Sequence, residues 1–159
     1  MIHLIEIVKL VEKQKWANRF CKSYDGELHP LTSALYGPSS KYLVAVNDKK
    51  EVGYMRICRT DEFDRYTCEQ VWIVQEAYVK PAYRSRGVLR EMITLSVKEY
   101  GVKALFIETC RFEKLVSYYS SLGFTAICAV QDPLMAHVVH CSFERVISAA
   151  NDDFLREAA

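Results

Sequence analysis

Arginine side chains gather around one glycine in the segment YVKPAYRSRGVLREMI, residues 78–93. Pro81 ends an apolar, β-branched stretch, and a pattern of helical period begins at Val88, so the sequence predicts a strand-to-helix turn between them. The first amides of a helix have no carbonyl partner within it, and the helix dipole makes that end positive. Amides that converge in this way can bind a phosphate group.

The side chains of this turn suit the same ligand. Gly87 leaves room for a ligand to approach the backbone, because glycine has no Cβ atom. Arg84 and Arg86 can donate charged hydrogen bonds to phosphate oxygens. The alternative is a solvated basic turn that binds nothing. The place of the turn, after an apolar strand and before an amphipathic helix, favours the anion site.

Composition restricts the classes of function. The chain has 159 residues, with 21 Lys and Arg against 20 Asp and Glu, a formal net charge of +1. So balanced a chain of about one domain indicates no general affinity for nucleic acid or anionic membranes. No apolar run approaches the roughly 18 residues that a membrane-spanning helix needs, and the N-terminus is unlike a secretory signal. A cytoplasmic protein without a membrane partner is therefore expected.

The cysteines give no sign of a metal site. There are six, and none lies two to four residues from another, the spacing of a zinc-type pair. Free thiols in a reducing compartment are expected, rather than a disulfide framework. The prediction for metals is that none is bound.

Hydrophobic periodicity predicts a mixed α/β fold in the order β-α-(α)-β-β-β-α-β-α-β-β. The bracketed helix is at most one turn within the loop DGELHPLTSALYGPSS, and NDKK joins two strands as a hairpin. Gly101 and Gly123 are the expected stops of the last two helices. The predicted strands are IHLIEI, KYLVAV, EVGYMRICR, VWIVQEAYV, KALFIET, TAICAV and HVVHCSFERV.

Two spaced motifs in this order resemble the GNAT superfamily of acyl-coenzyme A-dependent N-acyltransferases, over roughly residues 2–146. The first motif is Val-x-Pro-x-x-Arg, whose Arg opens a Gln/Arg-x-x-Gly-x-Gly/Ala turn, and the second is a later helix that ends Tyr-x-x-x-Gly-Phe. The residues that carry the first motif are Val79, Pro81, Arg84, Gly87 and, at its last position, Leu89. Those that carry the second are Tyr119, Gly123 and Phe124.

The resemblance implies a fold and a cofactor. The fold would be a mixed, mostly antiparallel central sheet of about six or seven strands, with two splayed parallel strands and flanking helices. It would occupy residues 1–147 as one domain, with 148–159 as a tail. Acyl-coenzyme A would lie between the strands VWIVQEAYV and KALFIET, with its pyrophosphate on the turn and its pantetheine arm along the first strand. The implied cofactor-binding residues are Ala77, Tyr78, Val79, Arg84, Ser85, Arg86, Gly87, Val88 and Leu89.

The resemblance also implies catalytic residues. N-acylation needs a neutral amine, because an ammonium has no lone pair, so a base helps and a weak acid can protonate the departing thiolate. Glu76, on the strand expected to line the cleft, is the candidate base, and a carboxylate paired with an arginine or a backbone donor is the alternative. Tyr119 is the candidate acid, with core packing as its alternative and Tyr118 as the substitute. The Val79 amide could stabilise the oxyanion.

The function predicted from these residues is transfer of an acetyl group from acetyl-coenzyme A to a primary amine by direct attack. The acceptor would be a small molecule or a protein. The competing hypothesis is a catalytically inactive binding or interaction module of the same fold. This hypothesis is supported by Leu89, where the family has Gly or Ala. It is also supported by Phe112 and Leu115, where the family has Asn and Ala. A homodimer through the final strand is a further expectation.

Overall fold

Seven strands form one sheet in the order β1-β2-β3-β4-β5-β7-β6 in the computed structural model. The structure describes residues 1–23, 40–59, 71–109, 112–131 and 139–146. The strands are β1 (Ile2–Glu6), β2 (Ser40–Asn47), β3 (Lys50–Arg59), β4 (Val71–Val79), β5 (Ala104–Thr109), β6 (Thr125–Gln131) and β7 (Val139–Val146). The helices are α1 (Leu10–Lys22), α2 (Val88–Tyr100) and α3 (Phe112–Ser121), with a 3₁₀ turn at Pro81–Tyr83.

The sheet is mixed, as the sequence predicts. β1, β2 and β3 pair antiparallel, as do β5, β7 and β6, and β4 pairs with β5 in parallel. The predicted fold class, a mostly antiparallel sheet with one parallel pair and flanking helices, is confirmed. The final strand does not lie where the predicted dimer needs it: β7 has partners on both sides. A homodimer therefore stays a prediction, but not one that can pair through β7.

The chain divides into two compact units. The first contains residues 1–59 and 75–100, and one part of its core lies between α1 and the strands β2 and β3. Trp16 of α1 packs into a cluster of buried side chains with partly buried Ile7 and Tyr78 around it. The other buried members of that cluster are Tyr42, Val44, Val46 and Tyr54. Since α1 begins without a side-chain cap, this packing has to stabilise it.

The predicted hairpin between β2 and β3 is confirmed. Asn47 pairs with Lys50, and the two residues between them adopt positive φ, 49° at Asp48 and 64° at Lys49. Positive φ at both central residues is the type I′ arrangement, whose twist matches that of the flanking strands. The hairpin fixes the register of β3, which contributes two side chains to the candidate site.

Gly53 is a position on β3 where the backbone needs a residue without a side chain. A Cβ atom there would lie 3.1 Å from Met92 Sδ, 3.3 Å from the Tyr78 carbonyl oxygen and 3.3 Å from Val88 Cγ1. These atoms belong to α2 and to the end of β4. The glycine therefore lets the first turn of α2 pack closely on the sheet.

The second unit contains residues 60–74 and 101–159. Its parallel pair joins Val71–Val74 of β4 to Ala104–Ile107 of β5. Buried Ala104 and Phe106 pack there with partly buried Ile73. β7 continues this part of the sheet, from Ala104 opposite Val146 to Thr109 opposite Cys141.

Several predictions concern residues outside the described ranges. They include the helical turn predicted within residues 25–40, of which only Ser40 is described, the loop TDEFDRYTCEQ, the loop QDPLMA after its first residue, and the tail 148–159. Within the described ranges, no helix has the length and hydropathy to cross a membrane. Among the same residues, no three His, Cys, Asp or Glu side chains come together as a metal-binding group.

Candidate active site

The turn between β4 and α2 is held at the sheet by backbone hydrogen bonds. The Lys80 amide donates to the Val52 carbonyl oxygen at 3.0 Å, and the Tyr83 amide donates to the Lys80 carbonyl oxygen at 2.8 Å. The chain then adopts positive φ at Ser85 (59°) and again at Gly87 (74°). Such alternation of left- and right-handed residues turns successive amides toward one side, the arrangement of an anion-binding nest.

The start of α2 adds backbone donors to this turn. The first hydrogen bond of the helix runs from the Glu91 amide to the Gly87 carbonyl oxygen at 3.0 Å. The amides of Val88 and Leu89 come before that bond, and the first amides of a helix have no acceptor within it. The positive end of the helix dipole lies at the same place. The turn therefore has the donors and the potential that a phosphate group requires.

The space in front of the turn is open. A Cβ atom built on Gly87 meets nothing within 4 Å, and Gly87 itself is exposed. Leu89 does not fill this space, because its side chain is buried, as is that of Val88. The larger residue at the last position of the turn therefore packs into the core of the first unit.

The two arginines of the turn have different contacts. Arg84 Nε donates a hydrogen bond to the Val79 carbonyl oxygen at 3.0 Å, and its guanidinium lies 5.8 Å from the centroid of the Tyr78 ring. Arg86 lies over Tyr83, 5.8 Å from the ring centroid. Both arginines are exposed. Arg84 thus has a structural contact to β4, and Arg86 projects from the turn itself.

Glu76 lies at the centre of a buried ionic network. Its Oε1 accepts a hydrogen bond from Arg56 Nη2 at 3.1 Å, and its Oε2 accepts one from the Tyr54 hydroxyl at 2.7 Å. The side chains of Arg56 and Glu76 are 2% and 0% exposed, and Tyr54 is also fully buried. The carboxylate is therefore paired with an arginine, as in the alternative considered from the sequence, but in the interior of the first unit.

The surroundings of the network are mainly aromatic. Trp16 stacks on Tyr54 with ring centroids 5.7 Å apart and planes inclined by 10°. Burial raises the pKa of Tyr54 above its ordinary value, and the negative charge and hydrogen bond of Glu76 raise it further, while Arg56 opposes them. Burial also raises the pKa of Cys21 on α1, and the charge of Glu76 adds to that rise. Tyr54 therefore stays a neutral hydrogen-bond donor.

Tyr119 belongs to the second unit and forms part of a helix cap. The Phe124 amide donates to the Tyr119 carbonyl oxygen at 3.1 Å, and the Gly123 amide donates to that of Ser120 at 3.0 Å. Gly123 has φ 85°, which completes a Schellman motif. The Tyr119 ring is buried and meets Phe124 edge to face, with centroids 6.1 Å apart. Tyr118, by contrast, is 42% exposed.

The turn, the order of elements and the capped helix agree with a comparison of sequences. A family profile described as the acetyltransferase (GNAT) domain matches residues 38–126, more than half of the chain. The chain belongs to the GNAT acetyltransferase family. The matched range includes Glu76, the turn at Gly87 and Tyr119. No curated protein matches the sequence significantly.

Solved structures of GNAT proteins share the fold. An acetyltransferase of Bacillus subtilis in complex with CoA superposes with a TM-score of 0.68 at 13% identity, covering 93% of this chain and 100% of that one. The aminoglycoside 6'-N-acetyltransferase of Enterococcus faecium gives 0.66 at 12%, covering 92% and 97%. FeeM, an N-acyl amino acid synthase from uncultured soil microbes, gives 0.67 at 18%, covering 96% and 94%. At these identities the likeness shows the fold alone.

Within the GNAT framework, the roles given to individual residues stay predictions. The structure brings together Ala77, Tyr78 and Val79 at the end of β4 with the turn that follows. Sequence reasoning missed Tyr54 and Arg56, which lie two residues apart on β3 and so point to one face of the sheet. The sequence does place Arg56 in an otherwise apolar strand. This could have indicated a buried ion pair, because a buried charge needs a partner.

Proposed function

We propose that this GNAT protein transfers an acetyl group from acetyl-coenzyme A to a primary amine by direct attack. The observation that carries the proposal is the turn at Ser85–Gly87, with its two residues of positive φ and open space in front of Gly87. A phosphate-binding turn at the start of a helix, in a chain of this family, is best explained by the diphosphate of coenzyme A.

In this proposal the cofactor binds along the end of β4 and over the turn. The diphosphate accepts hydrogen bonds from the backbone amides of residues 85–89, and Arg86 adds a charged donor. The pantetheine arm pairs with the backbone of Ala77–Val79. No metal ion takes part. Buried Leu89 supports this part of the proposal over the inactive module, because its side chain does not occupy the turn.

The reaction needs few groups. The amine nitrogen attacks the thioester carbonyl carbon, the C–N bond forms, the C–S bond breaks, and the amine gives up a proton. We assign the Val79 amide to the developing oxyanion and Tyr119 to protonation of the coenzyme A thiolate. Glu76 remains the candidate base from the sequence, but it can act only if its fully buried carboxylate becomes accessible to the amine proton.

The acceptor is proposed only as a class. The GNAT structures that share the fold include proteins described as an aminoglycoside acetyltransferase and an N-acyl amino acid synthase. Both descriptions involve amine-bearing small molecules, which supports an amine acceptor for this chain. A protein terminus or lysine side chain has the same reacting group, so it belongs to the same class.

Calorimetry with acetyl-coenzyme A, followed by a thiol-release assay across a panel of amines, tests the proposal. We expect saturable binding of acetyl-coenzyme A and release of one thiol for each acetylated amine. An absence of binding would overturn the cofactor site. Binding without thiol release for small amines, polyamines, amino acids and peptides would instead support the inactive binding module.

A further inference from the structure

The ion pair between Arg56 and Glu76 occupies an unusual place for charged groups. Both side chains are almost fully removed from solvent. The carboxylate also accepts the short hydrogen bond from Tyr54. Removing charged groups from water is costly, so such a pair is stable only when the partners satisfy each other closely. The ion pair is therefore a specific structural feature of the interior of the first unit.

A general base must come within hydrogen-bond reach of the proton that it removes, directly or through one water molecule. Glu76 has no exposed side-chain surface, and each carboxylate oxygen already accepts a hydrogen bond from β3. To act as the base, it would have to become accessible to the acceptor, and a proton taken up from the amine would neutralise the carboxylate that pairs with buried Arg56. This geometry does not suit proton abstraction from an acceptor.

The network instead acts on the strand that contains Glu76. Tyr54 and Arg56 lie on β3, the neighbour of β4 in the sheet, and both hold the same carboxylate. The residue after Glu76 is Ala77, where the proposed contact with the pantetheine arm begins. On the other side of Tyr54, the stacked Trp16 ring anchors the network to α1. The end of β4 is thereby fixed from two elements.

We infer that Tyr54, Arg56 and Glu76 form a positioning group that holds the end of β4 in place for the cofactor, and that Glu76 is not the general base. The effects that this inference predicts on turnover and KM depend on the proposed acyl transfer. The amine proton then passes to water or to another group. The coupling of the three side chains can be tested in the protein without any ligand.

The kinetic test compares Glu76→Gln with the double variant Arg56→Met/Glu76→Gln. The single variant removes the carboxylate that pairs with buried Arg56, so we expect it to fold poorly. The double variant removes both charges, and the amide oxygen of the introduced glutamine can still accept the Tyr54 hydrogen bond. We expect it to keep at least about a tenth of wild-type turnover, with a raised KM for acetyl-coenzyme A. Loss of a general base would lower turnover by about 10²- to 10⁴-fold.

The pH profile of turnover separates the two roles further. A positioning group leaves the shape of the profile unchanged in the double variant. A folded double variant that has lost the acidic limb of the profile, with turnover reduced beyond a hundredfold, would overturn the inference.

Thermal unfolding of the protein without ligand gives a readout that does not need activity. Arg56→Met and Glu76→Gln are each expected to lower the melting temperature by more than the double variant does, because each alone removes one member of the buried ion pair and keeps the other charge buried. If the double variant lowers it by the sum of the single effects, the network is not coupled and the inference fails. If wild type does not bind acetyl-coenzyme A, the proposed function fails while this test still decides on the network.

Discussion

Arg84 is joined to Val79 by a hydrogen bond of 3.0 Å from its Nε to the carbonyl oxygen. The bond ties the turn at residues 84–87 to the last residue of β4, the two parts of the proposed cofactor site. Sequence reasoning gave Arg84 the role of a phosphate ligand. Its Nε has a structural use instead, and only the terminal nitrogens of the guanidinium are left for a phosphate.

Replacement of Arg84 by lysine is expected to weaken binding of acetyl-coenzyme A by about three- to tenfold, the effect of one hydrogen bond. Lysine keeps the charge but has no Nε–H donor at the same place. If Arg84 contributed to binding only through its charge, the affinity of the lysine variant would be unchanged. Arg86→Lys is the matched control and should bind with near wild-type affinity. Calorimetry measures both, and hydrogen exchange of residues 84–90 should increase in Arg84→Lys without ligand.

Gly87→Glu is expected to abolish binding of acetyl-coenzyme A, because it places a negative side chain in the open space that the diphosphate needs. Gly87→Ala is the control. Its Cβ atom meets nothing within 4 Å, but its φ of 74° is unfavourable for alanine, which costs about 1–2 kcal/mol. Alanine should therefore lower the melting temperature and retain most of the affinity. Unchanged affinity in the glutamate variant would refute the phosphate site.

Tyr119→Phe is expected to lower turnover by about 10²-fold, the lower end for a positioned general acid. The backbone bonds of the cap and the contact with Phe124 do not need the hydroxyl, so the cap should still form and the affinity for acetyl-coenzyme A should stay close to wild type. Tyr118→Phe, which changes the neighbouring exposed ring, is the control. Equal turnover of the Tyr119 variant and wild type would leave Tyr119 with a packing role only.

Alkaline pH should destabilise the protein through two tyrosines. Burial and the charge of Glu76 raise the pKa of Tyr54. Burial, with the charges of Glu6 and Glu99, raises the pKa of Tyr100 to about 12. The unfolded chain loses these protons near pH 10 while the folded chain keeps them, so the stabilisation is complete below about pH 10 and falls as pH rises toward 12.

Denaturant unfolding at pH 10 to 12 measures this loss. In Tyr54→Phe the free energy of unfolding should fall less steeply with pH. The slope should be smaller by about 1.4 kcal/mol per pH unit, which is the effect of one titrating proton. A Tyr54 variant with the wild-type slope would mean that this hydroxyl is not protected from titration in the folded state.

Gly53→Ala is expected to destabilise the first unit by about 1–3 kcal/mol, the usual cost of overpacking. Its Cβ atom would press on Met92 and Val88 of α2 and on the Tyr78 carbonyl oxygen. Val88→Ala in the same background should recover part of the loss by making room. Thermal unfolding measures the effect, and a variant as stable as wild type would show that α2 shifts without cost.

The order of the elements and the turn could be predicted because local chemistry determines them. The helix stop at Gly123 and the hairpin at residues 47–50 are examples. The direction of Glu76 could not be predicted, because β4 is buried or half-buried along its described side chains. A strand covered on both faces lacks the polar and apolar alternation that reveals which side a residue faces. The partner Arg56 lies 20 residues away along the chain, and only the folded sheet brings them together.

The cap at the end of α3 changes what its signature can tell about evolution. Tyr119, Gly123 and Phe124 close that helix through main-chain bonds and one ring contact, so selection for folding alone would preserve Gly123, Phe124 and an aromatic ring at position 119. A descendant that had lost acyl transfer would still carry the glycine and the two aromatic residues of the cap. A sequence search that infers activity from the glycine and the aromatic residues of this signature would therefore detect the fold. It would not separate active enzymes from relatives that have lost activity.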